Sequence, residues 1–274
     1  MSSQVEVAKR MEWAQKWARE AGEIMKQARF ADHKDKAIQW TYKGEQQELV
    51  TNVDRHIDQM LCDAIRATFP EDQIVSEESF PHRSNTALSH DMWVIDPIDG
   101  TVNFAHGLPH VAVSIAWYHQ GRPYLGVVYA PFLDEMFAAQ LGKGATLNNQ
   151  AIQVSHHKAL KTALIGTGFP YERAQRHALI PTLTQVLTHC QDIRRCGSAA
   201  LDLCHVACGR LDGYYETVSL WDFAAGILIA EEAGAEASHF QPVTETRYLT
   251  GDHWLVSTPE IHQALNDIVT SVAV

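Results

Sequence analysis

The apolar positions of this chain change their period three times. Over 5–29, Val7, Met11, Ala14, Ala18, Ala21 and Met25 recur at steps of three or four, which predicts an amphipathic helix. Gly44 and its polar neighbours interrupt the pattern. A second helix is predicted at 52–68, with Val53, Ile57, Met60, Leu61 and Ile65 on one face and Pro70 behind it. Short buried strands are predicted in DQIVSEES and at WVI (93–95). From 111 onward the period falls to two. Val111, Val113, Ile115 and Trp117 face one way, and LGVVYAP, EMFAAQLG and AIQVS follow between Pro, Gly and Asn-Asn turns. That is an antiparallel meander. Beyond about 160 the strands TALIGTG, YYE and HWLVS alternate with helices at 174–190, 198–209, 222–234 and 259–271, an α/β texture. The change of texture divides the chain into 1–157 and 158–274. The linker HHKALK is short, so the two halves are expected to pack together.

Composition narrows the function. The chain has 274 residues, 46% apolar and 20% charged, enough to bury a large core. Its 22 Lys and Arg against 33 Asp and Glu leave a net charge of −11. No nucleic-acid backbone and no anionic membrane surface is expected as a partner, since both need clustered cations. An anionic substrate then requires something positive in the site, most simply a metal ion. Five cysteines without a CxxC pair read as reduced buried thiols, which suits a cytoplasmic protein. We read no signal peptide, and no apolar run approaches the roughly 18 residues of a membrane span.

Five acidic islands stand out, four of them where an element ends. Asp54 follows LVT, Glu77-Glu78 follow IVS, and Asp96 and Asp99 follow WVI. Glu216 ends YYE, and Asp222 opens a helix. Strand ends and helix starts are where α/β proteins place ligands. Hard cations such as Mg²⁺ take carboxylate oxygens and water, and a pair of such ions needs several carboxylates. In Asp96-Pro97-Ile98-Asp99 the proline is expected to end the strand ladder. The Ile98 carbonyl is free to face an ion, and Asp99 is expected to serve as ligand and as N-cap of the next helix. Gly100 and Thr101 then place amides at a helix start, an anion seat. Read alone, the tetrapeptide is a turn with a capping aspartate; its surroundings decide.

Those surroundings resemble the inositol monophosphatase family of Mg²⁺-dependent, lithium-sensitive phosphatases. WVIDPIDGTVNF (93–104) and WDFAAG (221–226) match the two signatures of that family. LVTNVD (49–54), EES (77–79) and GSAALDL (197–203) lie in its order, so the resemblance covers almost the whole chain. It implies a layered αβαβα sandwich, an N-terminal α+β half packed on a C-terminal α/β half, usually as a homodimer. It implies two or three Mg²⁺ held by Glu77, Asp96, the Ile98 carbonyl, Asp99 and Asp222. Glu77 and Thr101 orient the attacking water, and Asp54 supports Thr101. The amides of Gly100 and Thr101 seat the phosphate, next to Asp99. Gly197, Ser198 and Ala199 contact the substrate ring, Glu216 accepts a substrate hydroxyl, and Lys43 falls near the metals.

One departure concerns the substrate side: Asp222 lies six positions after Glu216, one fewer than in animal members. Arg194-Arg195 read either as a solvated pair or as a substrate-side or subunit contact. Trp221 reads as packing. His106 and His110 are not expected to bind metal, because Gly107 and Pro109 break any helix there. HExxH, P-loop and GxSxG motifs are missing. The expected activity is hydrolysis of a small phosphorylated polyol, inositol 1-phosphate first, since Asn103-Phe104 follow GTV. Fructose bisphosphate, NADP, adenosine bisphosphate and histidinol phosphate stay open as substrates, and so does a mainly interactive role with secondary catalysis.

Overall fold

A computed structural model of the chain describes residues 4–30, 38–43, 48–79, 91–169, 176–243, 247–249 and 253–272. Gly44 and residues 174–175 lie outside them. The described helices are α1 (Gln4–Arg29), α2 (Asn52–Thr68), α3 (Thr101–His106), α4 (Arg176–His189), α5 (Ala199–Ala207), α6 (Leu220–Glu232) and α7 (Pro259–Val272). The hairpin β1 (Trp40–Lys43) and β2 (Glu48–Thr51) precedes α2. A seven-stranded sheet runs in chain order: β3 (Gln73–Ser76), β4 (Met92–Asp99), β5 (Ala112–His119), β6 (Arg122–Ala130), β7 (Glu135–Gln140), β8 (Ala145–Leu147) and β9 (Gln150–Ile152). Only β3 and β4 pair in parallel; the rest is the predicted meander. A five-stranded sheet is ordered β11-β10-β12-β14-β13, from β10 (Leu164–Thr167), β11 (Asp192–Arg194), β12 (Gly213–Thr217), β13 (Glu236–His239) and β14 (His253–Ser257).

Three apolar clusters stack these elements into an αβαβα sandwich. The first joins α1 and α2 to one face of the large sheet, through Trp17, Ile57, Leu61, Trp93, Ile95, Val113, Ile115 and Trp117. The second lies on the other face, where Val94, Ala116, Tyr118 and Val128 meet Leu203, Phe223 and Ile227 of α5 and α6, and continues to Tyr214 and Trp254 of the small sheet. The third covers the far side of the small sheet with α4 and α7, through Ile165, Val186, Leu255, Ile261 and Leu265. The expected inward face of β5 is therefore correct, but its opposite face is buried too. Ala112, Ser114, Ala116 and Tyr118 pack under the middle helices, so the alternation marks two cores rather than core and solvent.

The large sheet and the middle helices approach closely. At Gly126 of β6 an added Cβ would meet the Ala225 carbonyl oxygen at 2.7 Å, so α6 lies against the strand backbone. Trp93 begins the acidic signature but has a structural task. Its ring stands edge-on to Trp17 at 5.5 Å, and its N–H donates to Asp72 at 2.9 Å. Asp72 in turn pairs with Arg10 of α1 at 3.1 Å. The helix layer and the strand that carries the carboxylates are thus tied by one half-buried ion pair.

Candidate metal and phosphate site

β4 does not stop at Pro97. It runs on to Asp99 with an irregular register between Asp96 and Asp99, and the proline sits in that irregularity. The Ile98 N–H donates to Asp96 Oδ1 at 3.0 Å and closes the bend. Gly100 follows with φ of +94°. A Cβ there would come within 3.0 Å of the Gly197 carbonyl oxygen, so the left-handed turn and the close approach both require glycine. α3 starts at Thr101.

Thr101 is held from two sides. Its hydroxyl donates toward Asp54 Oδ1 at 2.9 Å and the Ile98 carbonyl at 3.0 Å. Its one proton is thereby committed, and its lone pairs remain to accept from a water. Asp54 is buried, with its carboxyl pushed up by desolvation against hydrogen bonds from Thr51 and Thr101. It also forms the capping box of α2, taking the Thr51 N–H at 2.9 Å. One carboxylate therefore starts a helix and orients a hydroxyl 47 positions away.

Asp99 does not cap α3, contrary to expectation; that N-cap is Gly100, which offers no side chain. The Asp99 carboxylate turns instead to the start of α5. It accepts from Ser198 Oγ at 2.5 Å, Ala199 N at 3.2 Å and Ala200 N at 2.7 Å. Burial raises its pKa to about 6, against the opposing pull of Ser198 and Ala200. Three of roughly four acceptor positions are thus used, which leaves about one for an ion. Ser198 is the N-cap of α5, and Gly197 before it has φ of +91°. Gly197, Ser198 and Ala199 are so brought onto the acidic turn from about 100 residues away.

Asp222 enters from α6, where it accepts the Ser219 N–H at 2.7 Å. Asp96, Asp99 and Asp222 each offer a carboxylate oxygen within 4.8 Å of the others. Burial pushes Asp96 and Asp222 well up, and mutual repulsion adds to it; Glu77, which follows β3, acts on both. Only protons or a cation relieve such a set, and its donors are hard oxygens. The residues fit an ion of the Mg²⁺ or Ca²⁺ class. The Ile98 carbonyl already accepts from Thr101, with a second lone pair remaining.

Glu216 lies one residue before the end of β12. It accepts from Tyr214 Oη at 2.5 Å, and desolvation raises its pKa to about 7. Its charge acts on Asp222, so the shorter spacing in sequence still leaves the two close. The two arginines separate. Arg194 is a solvated partner of Asp192 at 2.6 Å, whereas Arg195 faces Gly197 and acts on Glu216. Lys43 pairs with Glu48 in the β1–β2 hairpin, but its side chain lies outside the described residues. Trp221 packs against the middle core. Two residues acquire tasks that their sequence neighbourhood did not announce. Asn103 Nδ2 donates to the carbonyls of His110 and Cys196, both at 2.8 Å, and so staples α3 to the α5 approach. Asp202 meets His110 at 3.2 Å, a contact between residues 92 positions apart. A carboxylate on the inner side of a helix was the available signal for Asp202.

A model of the inositol monophosphatase family matches residues 6–272. This chain belongs to the inositol monophosphatase family. It is 39% identical over 254 residues to a Nus factor SuhB of Pasteurella multocida, covering 92% of each chain. The structure of the extragenic suppressor protein suhB from Bartonella henselae superposes with a TM-score of 0.83 at 31% identity, over 93% of this chain and 95% of that one. The inositol monophosphatase from Anabaena (Nostoc) sp. PCC 7120 gives 0.82 at 32% identity, over 96% of both. The family's acidic signatures are the segments that supply Asp96, Asp99 and Asp222 here. All five cysteines are free, and among the described residues no helix is long and apolar enough to cross a membrane.

Proposed function

We propose that this chain is a Mg²⁺-dependent phosphate monoester hydrolase whose preferred substrate is a small polyol monophosphate, inositol 1-phosphate first. The observation that carries this reading is the trio Asp96, Asp99 and Asp222 within 4.8 Å beside the Thr101–Asp54 pair. Glu77, Asp96, the Ile98 carbonyl, Asp99 and Asp222 would hold two or three ions. When bound, Mg²⁺ supplies positive charge for phosphoryl oxygens and lowers the pKa of its water. Thr101, its own proton committed to Asp54 and Ile98, accepts from the attacking water and fixes its orientation. Glu77 accepts the proton that this water loses as it attacks phosphorus in line; the ester P–O bond on the opposite side breaks, and the alcohol leaves as an alkoxide that takes a proton from solvent. The Gly100 and Thr101 amides receive the phosphate, and no covalent phosphoenzyme is needed. Glu216, titrating near neutrality, takes a substrate hydroxyl on the alcohol side, beside the α5 start at Gly197–Ala199.

The test is phosphate release from inositol 1-phosphate, glycerol 2-phosphate, fructose 1,6-bisphosphate, adenosine 3′,5′-bisphosphate, histidinol phosphate and NADP. Each is assayed with Mg²⁺, with chelator and with added lithium. Inositol 1-phosphate turns over fastest, lithium inhibits, and Asp96→Asn lowers the rate on the order of 1,000-fold. Equal rates in chelator, or wild-type turnover by Asp96→Asn, would refute the assignment. The name Nus factor on a relative of 39% identity favours a second reading, a binding role beside catalysis. In that case Asp96→Asn restores the cellular function of a deletion strain while hydrolysis is lost.

A further inference from the structure

Next to the carboxylate trio lies a second cluster of different chemistry. His110 Nε2 faces Asp202 Oδ1 at 3.2 Å, and His205 brings a nitrogen so that all three donor atoms lie within 4.8 Å. The imidazole rings of His110 and His205 meet edge to face, 5.3 Å between centroids. The Cys196 thiol lies beside them, near enough for the Asp202 carboxylate to act on it, but outside the span that the other three donors share. Asp202 is buried, while His110 keeps 19% of its side chain exposed, a route for an ion.

We propose that His110, Asp202 and His205, with Cys196 drawn in as a fourth donor, form a binding site for a borderline transition ion of the Zn²⁺ class, separate from the hard-oxygen trio. Two imidazoles, one carboxylate and one thiol are the donors that such ions prefer in four-coordinate sites, whereas Mg²⁺ does not take sulfur and nitrogen. Distance agrees. Metal–ligand bonds of about 2.0–2.2 Å set tetrahedral edges of about 3.4 Å, and the His110–Asp202 separation is already 3.2 Å. The ion replaces the proton between those atoms, which passes to solvent, His205 closes in from within 4.8 Å, and the Cys196 side chain turns in as the fourth donor. The thiol loses its proton on binding. His205 is kept neutral by burial, near a pKa of about 4, so protons do not compete for it. Its competitor is Arg210, whose Nη1 lies 3.3 Å from His205 Nε2. Arg210 is already satisfied by Glu135, at 2.5 and 2.6 Å, so the contact with His205 is the one to yield.

The experiment is a Co²⁺ titration of the full-length, chelator-stripped, reduced protein carrying Asp96→Asn and Asp222→Asn, which disables the oxygen site. One equivalent of Co²⁺ produces the visible bands of four-coordinate cobalt together with a near-ultraviolet thiolate charge-transfer band. Zn²⁺ abolishes both, and excess Mg²⁺ leaves them. Adding Cys196→Ser removes the charge-transfer band and keeps the visible ones. Adding His205→Gln removes both. Adding Arg210→Met tightens Co²⁺ binding several-fold, a readout that does not depend on a ligand variant folding. Absent cobalt bands, displacement by Mg²⁺, a spectrum that survives His205→Gln, or unchanged affinity in Arg210→Met each overturn the site.

Discussion

Glu216 shows what a single buried carboxyl does to the whole chain. It sits behind Gly168, just past β10, where an added Cβ would fall within 2 Å of its carboxyl carbon and oxygens, so no water layer separates it from the backbone there. Its folded pKa, about 7, lies above the 4.5 of an ordinary glutamate, with desolvation the leading cause. Below pH 4.5 both folded and unfolded chains hold the proton and the stabilisation is complete. Between pH 4.5 and 7 the unfolded chain sheds the proton first, so stability falls as pH rises. Denaturant melts in chelator at pH 5 and pH 8 will show this fall. Glu216→Gln, whose amide oxygen still accepts from Tyr214, will make it shallower by up to about 3 kcal/mol. An equal fall in the variant would mean that Glu216 is ionised in the folded protein. Much of the site was legible at this scale, because hydrophobic runs that end in acids identify themselves. Asp99 was misread in part. Its position before Gly100 and Thr101 suggests a local cap, whereas its carboxylate serves a helix start about 100 residues on, through a contact that no local pattern encodes.

At the scale of elements, long periodic segments and short apolar strands such as β3, β10 and β12 were read well, and three short strands were not. The helices over 4–29, 52–68 and 259–272 announce themselves by one apolar face. The strands β1, β11 and β13, of three or four residues each, carry too few positions to show a period. The bulge in β4 is invisible for a different reason: proline ends a ladder as easily as it enters a bulge. Gly226 joins the signature WDFAAG to packing. A Cβ there would lie 2.8 Å from Cβ and Cδ1 of Leu203 and 3.3 Å from the Ala200 carbonyl oxygen. Leu203 Cβ is fixed by its own helix, so α5 and α6 must separate. Gly226→Ala gains at most about 1 kcal/mol of helix propensity and loses about 1–3 kcal/mol to overpacking. The expected net is a loss of about 1–2 kcal/mol. Activity falls further than stability explains, because α5 carries the contacts to Asp99 and α6 carries Asp222. Thermal melts and kcat at a temperature where the variant is fully folded separate the two effects; full activity there would detach the site from this helix contact.

The whole molecule carries a net charge of −11 and concentrates buried carboxylates where its two sheets share a helix layer. Two explanations for stabilisation by Mg²⁺ must then be distinguished. Screening of surface repulsion is generic: any salt of equal ionic strength does it, and it acts over about 10 Å at 0.1 M. Binding at the trio is specific, because it relieves Asp96, Asp99 and Asp222 of repulsion that only protons otherwise relieve. A ligand held at 100 times its Kd stabilises by about 2.7 kcal/mol, or about 5–10 °C in Tm for a chain of this size. We expect that rise with Mg²⁺ at pH 7.5 over NaCl of matched ionic strength. It shrinks toward pH 5, where protons have already neutralised the trio, and most of it disappears in Asp96→Asn. A rise reproduced by NaCl, or retained in full by Asp96→Asn, would return the effect to the surface. The acidic surplus would then be a matter of solubility rather than of chemistry.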